Sequence, residues 1–144
     1  AAYIEENKNR VHQCGWLDDL SFVAKKGRLT HSKAFFGKLA GIKPNPSYAQ
    51  VLEGGRLVRE NDVDLILAVG GGSVIDCAKA ISVSAYAEGD AWQRYWIDFE
   101  KVDNKIIPVG SILTMTGTAS EMNAGSVITN EEVMIARDVI RLTK

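Results

Sequence analysis

The rhythm of apolar and polar residues changes several times along this chain, and each change marks an element. Apolar Ile4, Val11 and Cys14 stand among charges and amides, which predicts a surface helix with a narrow buried stripe, ended by Gly15. Trp16 to Val23 reads as a second short helix, and the basic stretch Lys25-Lys26-Gly27-Arg28 as a loop. Residues Thr30 to Ala40 fit helix and strand equally. Asn45-Pro46 predicts a helix start with the proline at the first helical position. Tyr48, Val51, Leu52 and Val58 then fall on one face of a helix ending near Asn61. Gly54 and Gly55 in its middle each cost about 1 kcal/mol relative to alanine. Such a pair either kinks the helix or lets another element approach closely.

The next segment is a short apolar run from Val63 to Val69, bounded by Asn61-Asp62 and by glycines. This composition predicts a strand buried on both faces of a parallel sheet. Gly70, Gly71 and Gly72 turn the chain into a helix from Ser73 to about Tyr86, with Ser73 and Asp76 spaced as a capping box. Ala78, Ile81 and Ala85 give that helix a small-residue face suited to lying on a sheet. Gly89-Asp90 breaks it, and Trp92, Tyr95 and Trp96 predict a packed helical turn. Lys105 to Val109 reads as a strand whose Pro108 places it at an edge or strand end. A hydroxyl-rich loop covers Leu113 to Glu121, Ser126 to Thr129 predicts a further strand, and Val133 to Leu142 an amphipathic helix. Alternating helices and strands with short connections predict an α/β layer structure with a mainly parallel sheet, in one domain over residues 1–144.

Candidate chemistry gathers at the two loops that follow strands, because ligands of such sheets bind outside the carboxyl ends of the strands. At Gly70 to Ser73, unpaired amides and the positive end of a helix dipole favour an anion, and glycine lets a phosphate approach the backbone. The same turn also serves tight packing alone. It is neither the G-x-G-x-x-G fingerprint nor a P-loop. Leu113 to Glu121 is either a turn whose hydroxyls satisfy local backbone or a second clamp on the same ligand.

Composition narrows the partners. A net charge of −1 argues against a nucleic-acid surface, and no apolar run reaches the roughly 20 residues that cross a bilayer. The residues from Ala1 to Glu6 carry no basic stretch followed by an apolar core, so no signal peptide is expected and a cytoplasmic protein is. Cys14 and Cys77 read as reduced, buried thiols, and His12 and His31 as isolated surface or capping residues.

With both loops in view, the middle of the chain resembles the iron-containing alcohol dehydrogenases, above all their butanol dehydrogenase and NADPH-dependent aldehyde reductase branch. The motifs are Gly41-Ile42-Lys43-Pro44-Asn45-Pro46, Ala68 to Lys79, Gly89-Asp90-Ala91-Trp92 and Ile112-Leu113-Thr114. Thr118-Ala119-Ser120-Glu121-Met122-Asn123 and Val127-Ile128-Thr129-Asn130 complete the match, which covers about residues 36–132. The resemblance implies a Rossmann-like parallel sheet with flanking helices, the cofactor-binding domain without the helical metal domain. It implies NAD or NADP as cofactor, with Gly71, Gly72 and Ser73 at the pyrophosphate, Asp76 near the nicotinamide half, and Thr114 and Thr118 contacting the cofactor from the second loop. It further implies iron or zinc in the full-length enzyme, an aldehyde or primary alcohol as substrate, and a homodimer.

Departures from the family pattern are equally specific. The family's metal ligands follow the matched region, and both histidines here precede it. The first family strand, with its own glycine-rich turn, is not found in Ala1 to Phe35, and Ala119 stands where the family usually has glycine. The expectation is therefore a fragment or incomplete version of such an enzyme, with no catalytic residue or metal ligand assigned. The rival expectation is a non-catalytic α/β module that uses the same surface for subunit association.

Overall fold

The computed structural model describes residues 19–25 and 34–130, with side chains from Leu39 onward. The expected helices at Ile4–Cys14 and Val133–Leu142, and residues His12, His31 and Cys14, lie outside the described residues.

Four strands form one sheet in the order β2-β1-β3-β4. They are β1 (Asp19–Lys25), β2 (Ala34–Leu39), β3 (Leu65–Gly70) and β4 (Val109–Leu113). The β3–β4 pair is parallel, with Gly70 opposite Leu113, whereas β1 pairs antiparallel with both β2 and β3. The α/β layering is as expected, but among the described residues the sheet is mixed and not mainly parallel: β3–β4 is its one parallel strand pair, and the Ser47–Thr129 bridge outside the sheet is also parallel. Asp19–Lys25 is a strand where a helix was expected. Leu20, Phe22 and Ala24 alternate with Ser21, Val23 and Lys25, and pairing on both sides decides the ambiguity in favour of extended backbone.

Helix α1 (Tyr48–Asn61) starts after Ser47, two residues beyond the proline expected to open it. The backbone N–H of Gln50 donates to the Ser47 hydroxyl and the Ser47 N–H to the Gln50 side chain, a reciprocal cap that outcompetes the proline signal. Val51, Gly54, Gly55 and Val58 form its buried stripe, while Leu52 is 55% exposed and off the predicted face. Asp62 closes the helix in the left-handed region at φ +55.

Helix α2 (Gly72–Ser84) packs on β3, and α1 packs on α2. The glycine pair is what permits that second contact. A Cβ added at Gly54 would meet Ile81 Cγ1 at 2.7 Å, and one at Gly55 would lie 3.6 Å from Ala85 Cα. Ile81 and Ala85 therefore face α1, not the sheet as expected. The core includes Ile66 and Ala68 of β3, Val51 and Val58 of α1, Val74, Ile75, Cys77, Ala78, Ala80 and Ile81 of α2, and Ile107 and Ile128 from the loops. Each fully buried Ile or Val side chain contributes about 1.5–3 kcal/mol. In β3 the alternate residues Leu65, Leu67 and Val69 stay partly open, so among the described residues one face of this strand is covered, not two.

Beyond α2, the Asp90 carboxylate accepts the Trp92 N–H at 2.9 Å and opens a helical turn over Gln93–Ile97. There Trp92 and Trp96 stack with centroids 5.8 Å apart, and Tyr48 of α1 tilts against Trp92 at 5.2 Å. β4 begins only after Pro108, whose carbonyl accepts the Ile66 N–H at 3.0 Å; the ring has no donor for the ladder, so the strand starts beyond it. The strand expected at Ser126–Thr129 is a single bridge from Thr129 to Ser47, with this segment held instead by Asp76 of α2, whose backbone carbonyl accepts the Ser126 hydroxyl and whose carboxylate accepts the Val127 N–H.

Candidate functional site

The parallel pair β3–β4 sets the site. Both strands end at the same level, and the Thr114 N–H donates to the Gly70 carbonyl at 3.0 Å, so the two loops leave side by side. After β3 the chain passes through Gly71 (φ −91, ψ −166), whose carbonyl accepts the N–H groups of Val74 and Ile75 and so starts α2. Gly71 is the N-cap, and no side chain caps this helix. The expected capping box of Ser73 and Asp76 does not form, because the helix begins one residue before Ser73 and places that residue inside the first turn. The Ser73 hydroxyl instead accepts the Asn45 N–H at 3.4 Å.

Among the described residues, the amides of Gly71, Gly72 and Ser73 donate to no protein acceptor, and all three residues are partly open to solvent. Three such amides at the positive end of a 13-residue helix favour negative charge beside them. The second loop closes on it from one side. A Cβ at Gly72 would lie 2.8 Å from Thr118 Oγ1 and 3.0 Å from Ser120 Oγ, so only glycine lets Thr118 come this near. Thr114 is exposed at the start of the same loop. Ala119 lies in the left-handed region (φ +53, ψ +20), which favours glycine, and leads into the helical turn Ser120–Met122.

The structure therefore brings Gly71, Gly72, Ser73, Thr114 and Thr118 to one place, two strand ends and a helix terminus. Asp76 is engaged elsewhere: Oδ1 faces Lys79 Nζ at 3.0 Å and Oδ2 accepts the Val127 N–H at 3.1 Å. Two partners of the site were missed from the sequence. Asn45 reaches Ser73 across 28 positions, and Lys79 reaches the second loop across more than 40. Both stand in motifs of the family resemblance, Gly41 to Pro46 and Ala68 to Lys79, but nothing local to either residue showed its partner.

Other reactive groups are silent. Burial pushes the Cys77 thiol up to about 12, which keeps it protonated and inert. Burial, and then the nearby Asp90 carboxylate, raises Tyr48 above its usual range. Among the described residues, no three His, Cys, Asp or Glu side chains lie where they could hold a metal ion. No helix there is long and apolar enough to cross a membrane.

Comparison with known proteins decides the family. The model of the iron-containing alcohol dehydrogenases matches residues 10–141, wider than the motif-bearing region at both ends. The chain belongs to the iron-containing alcohol dehydrogenase family. Its relatives include NADH-dependent butanol dehydrogenase A of Clostridium acetobutylicum, 42% identical over 135 residues, covering 91% of this chain and 33% of that protein. A probable NADH-dependent butanol dehydrogenase of Bacillus subtilis is 46% identical over 105 residues, covering 73% of this chain and 27% of the relative. The crystal structure of NADH-dependent butanol dehydrogenase A from Thermotoga maritima superposes with a TM-score of 0.61 at 40% identity, over 66% of this chain and 23% of that one. The chain thus spans about a quarter to a third of the length of these relatives.

Proposed function

We propose that this chain is the cofactor-binding portion of an NAD(P)-dependent alcohol dehydrogenase or aldehyde reductase, interconverting a primary alcohol and an aldehyde. The observation that carries this reading is the set of free amides at Gly71, Gly72 and Ser73 with Thr118 packed beside Gly72. A dinucleotide carries a diphosphate, and these amides supply donors and a dipole to it without displacing any hydrogen bond among the described residues. The named activities of the relatives, NADH-dependent butanol dehydrogenases, support the choice of nicotinamide cofactor and small alcohol.

Within that reading the bound cofactor supplies hydride transfer, and the described residues bind and orient it. Gly71 to Ser73 receive the diphosphate, and the glycines keep side chains out of its path. Thr118 and Thr114 offer hydroxyls from the facing loop. Asp76 acts through the loop that it holds. The donor set for a family metal is not met among the described residues, so no step is assigned to one here.

Titration of the chain with NADH, followed by cofactor fluorescence, tests the reading. Saturable binding is expected, with Ser73→Glu weakening it at least tenfold by setting a carboxylate against the diphosphate, and Ser73→Ala changing it little. Absence of binding, or equal binding by Ser73→Glu, would remove the proposal.

A further inference from the structure

The second loop, continued to Val127, is held only in part by its own sequence: the Met122 N–H donates to the Ala119 carbonyl at 3.0 Å and the Gly125 N–H to Asn123 Oδ1 at 2.9 Å. Its carbonyl groups converge on one cation that enters from α2. Lys79 Nζ donates to the Ser120 carbonyl at 2.9 Å, to Asn123 Oδ1 at 3.2 Å and to the Gly125 carbonyl, with the Asn123 carbonyl at 3.5 Å. The ammonium also faces Asp76 Oδ1 at 3.0 Å, one helical turn earlier. The two side chains are only 17% and 12% exposed. Asp76 grips the far end of the same loop: Oδ2 accepts the Val127 N–H at 3.1 Å, and its backbone carbonyl accepts the Ser126 hydroxyl at 2.7 Å.

From this we infer that Lys79, with Asp76, is a positioning residue that folds residues 118–127 against the open amides of α2. This inference rests on the reading of those amides as the cofactor site. Several oxygens directed at one point repel each other unless a cation sits among them, and a carboxylate beside them worsens the balance. Removing the ammonium therefore turns these carbonyls away. Ser120 moves with its carbonyl, and Thr118, two residues earlier and packed on Gly72, moves with Ser120. The arrangement suits lysine in particular. Its compact ammonium offers three donors to acceptors on separate residues, whereas the planar fork of arginine matches acceptors lying in one plane.

The test combines amide hydrogen exchange with NADH titration on wild type, Lys79→Met, Lys79→Arg and Asp76→Asn. In Lys79→Met, exchange at Met122, Gly125 and Val127 is expected to accelerate at least tenfold while amides of α1 such as Val58 keep their wild-type rates. The NADH dissociation constant is expected to rise at least tenfold at a temperature where the variant remains folded. Lys79→Arg is expected to restore only part of the loop protection, and Asp76→Asn to loosen Val127 less than Lys79→Met does. Unchanged loop exchange would overturn the inference, as would a uniform acceleration through α1, β3 and the loop, which marks a merely structural residue. Equal NADH binding by wild type and Lys79→Met would overturn it too. A wild type that ignores NADH, with loop loosening still confined to Lys79→Met, would remove the cofactor reading and leave the positioning role standing.

Discussion

A methyl group placed at Gly72 separates a site built on two apposed loops from a turn that merely contains glycines. In Gly72→Ala the new Cβ would stand 3.0 Å from Thr118 Cβ and 2.8 Å from Thr118 Oγ1. Carbon atoms pack without penalty at about 3.5–4.0 Å, so the loop must retreat by roughly half an ångström or more. Overpacking of this kind costs about 1–3 kcal/mol, and alanine returns at most about 1 kcal/mol through helix propensity. The net expectation is destabilisation of roughly 0–2 kcal/mol, read as a lower urea midpoint at unchanged slope. Thr118 is exposed and Ser120 buried, so the displacement falls mainly on Thr118, and NADH affinity is expected to drop by about tenfold, roughly 1.4 kcal/mol. Gly71→Ala is the internal control. Its Cβ would meet nothing nearer than Met115 Cβ at 3.9 Å, and its φ of −91 suits any residue, so stability is expected to stay within about 0.5 kcal/mol of wild type. Because Gly71 itself lies at the proposed diphosphate site, the control concerns stability alone: equal stability of the two alanine variants would refute the close approach of Thr118 to Gly72.

Other substitutions test the packing beneath the site. Gly55→Ala is expected to stabilise by about 0.5–1 kcal/mol, since its Cβ finds ordinary contact with Ala85, whereas Gly54→Ala collides with Ile81 and is expected to give no gain or a loss. Thermal unfolding of the pair checks this, and equal gains at both positions would show that α1 and α2 stand farther apart. Ala119→Gly relieves a left-handed alanine and is expected to stabilise by up to about 1 kcal/mol; a loss measured by urea unfolding would contradict that backbone assignment. In a Cys14→Ser background, Cys77 is expected to react with a disulfide reagent at pH 8 only as the chain unfolds, and prompt reaction of the folded chain would contradict its burial. The sign of its pH effect follows from a folded pKa pushed up to about 12 against an ordinary 9.0: its stabilising contribution is complete below pH 9 and declines toward pH 12, as the unfolded chain releases the proton first.

What was legible in the sequence was what local chemistry decides. The apolar run before Gly70 could only be a buried strand or a core helix, and its length with the following glycines settled that choice. The close approach of another element at Gly54 and Gly55 was legible for the same reason, since two glycines in a helix are a cost that something must offset. Segments whose local pattern fits two states were decided from outside. Asp19–Lys25 is a strand because β2 and β3 flank it, a fact absent from its seven residues. The start of α1 is set by the capping box of Ser47 and Gln50 and not by Pro46, one position earlier, because the reciprocal bonds satisfy two amides that a proline at the first position leaves open. At the site, the glycine turn was readable but its cap was not: whether Gly71 or Ser73 opens α2 depends on how β3 delivers the chain. Asp76 shows the wider limit. Its spacing from Ser73 suggested a cap, and its place in the family motif a cofactor contact, yet its carboxylate binds Lys79 and Val127, the latter 51 positions away.

The most direct measurement is the amide NMR spectrum of the chain during NADH addition. Saturable shifts are expected to be largest at Gly71, Gly72 and Ser73, with Thr118 following and the amides at the opposite end of α1 unmoved. Binding that leaves those three amides in place, or no binding at all, would contradict the cofactor reading.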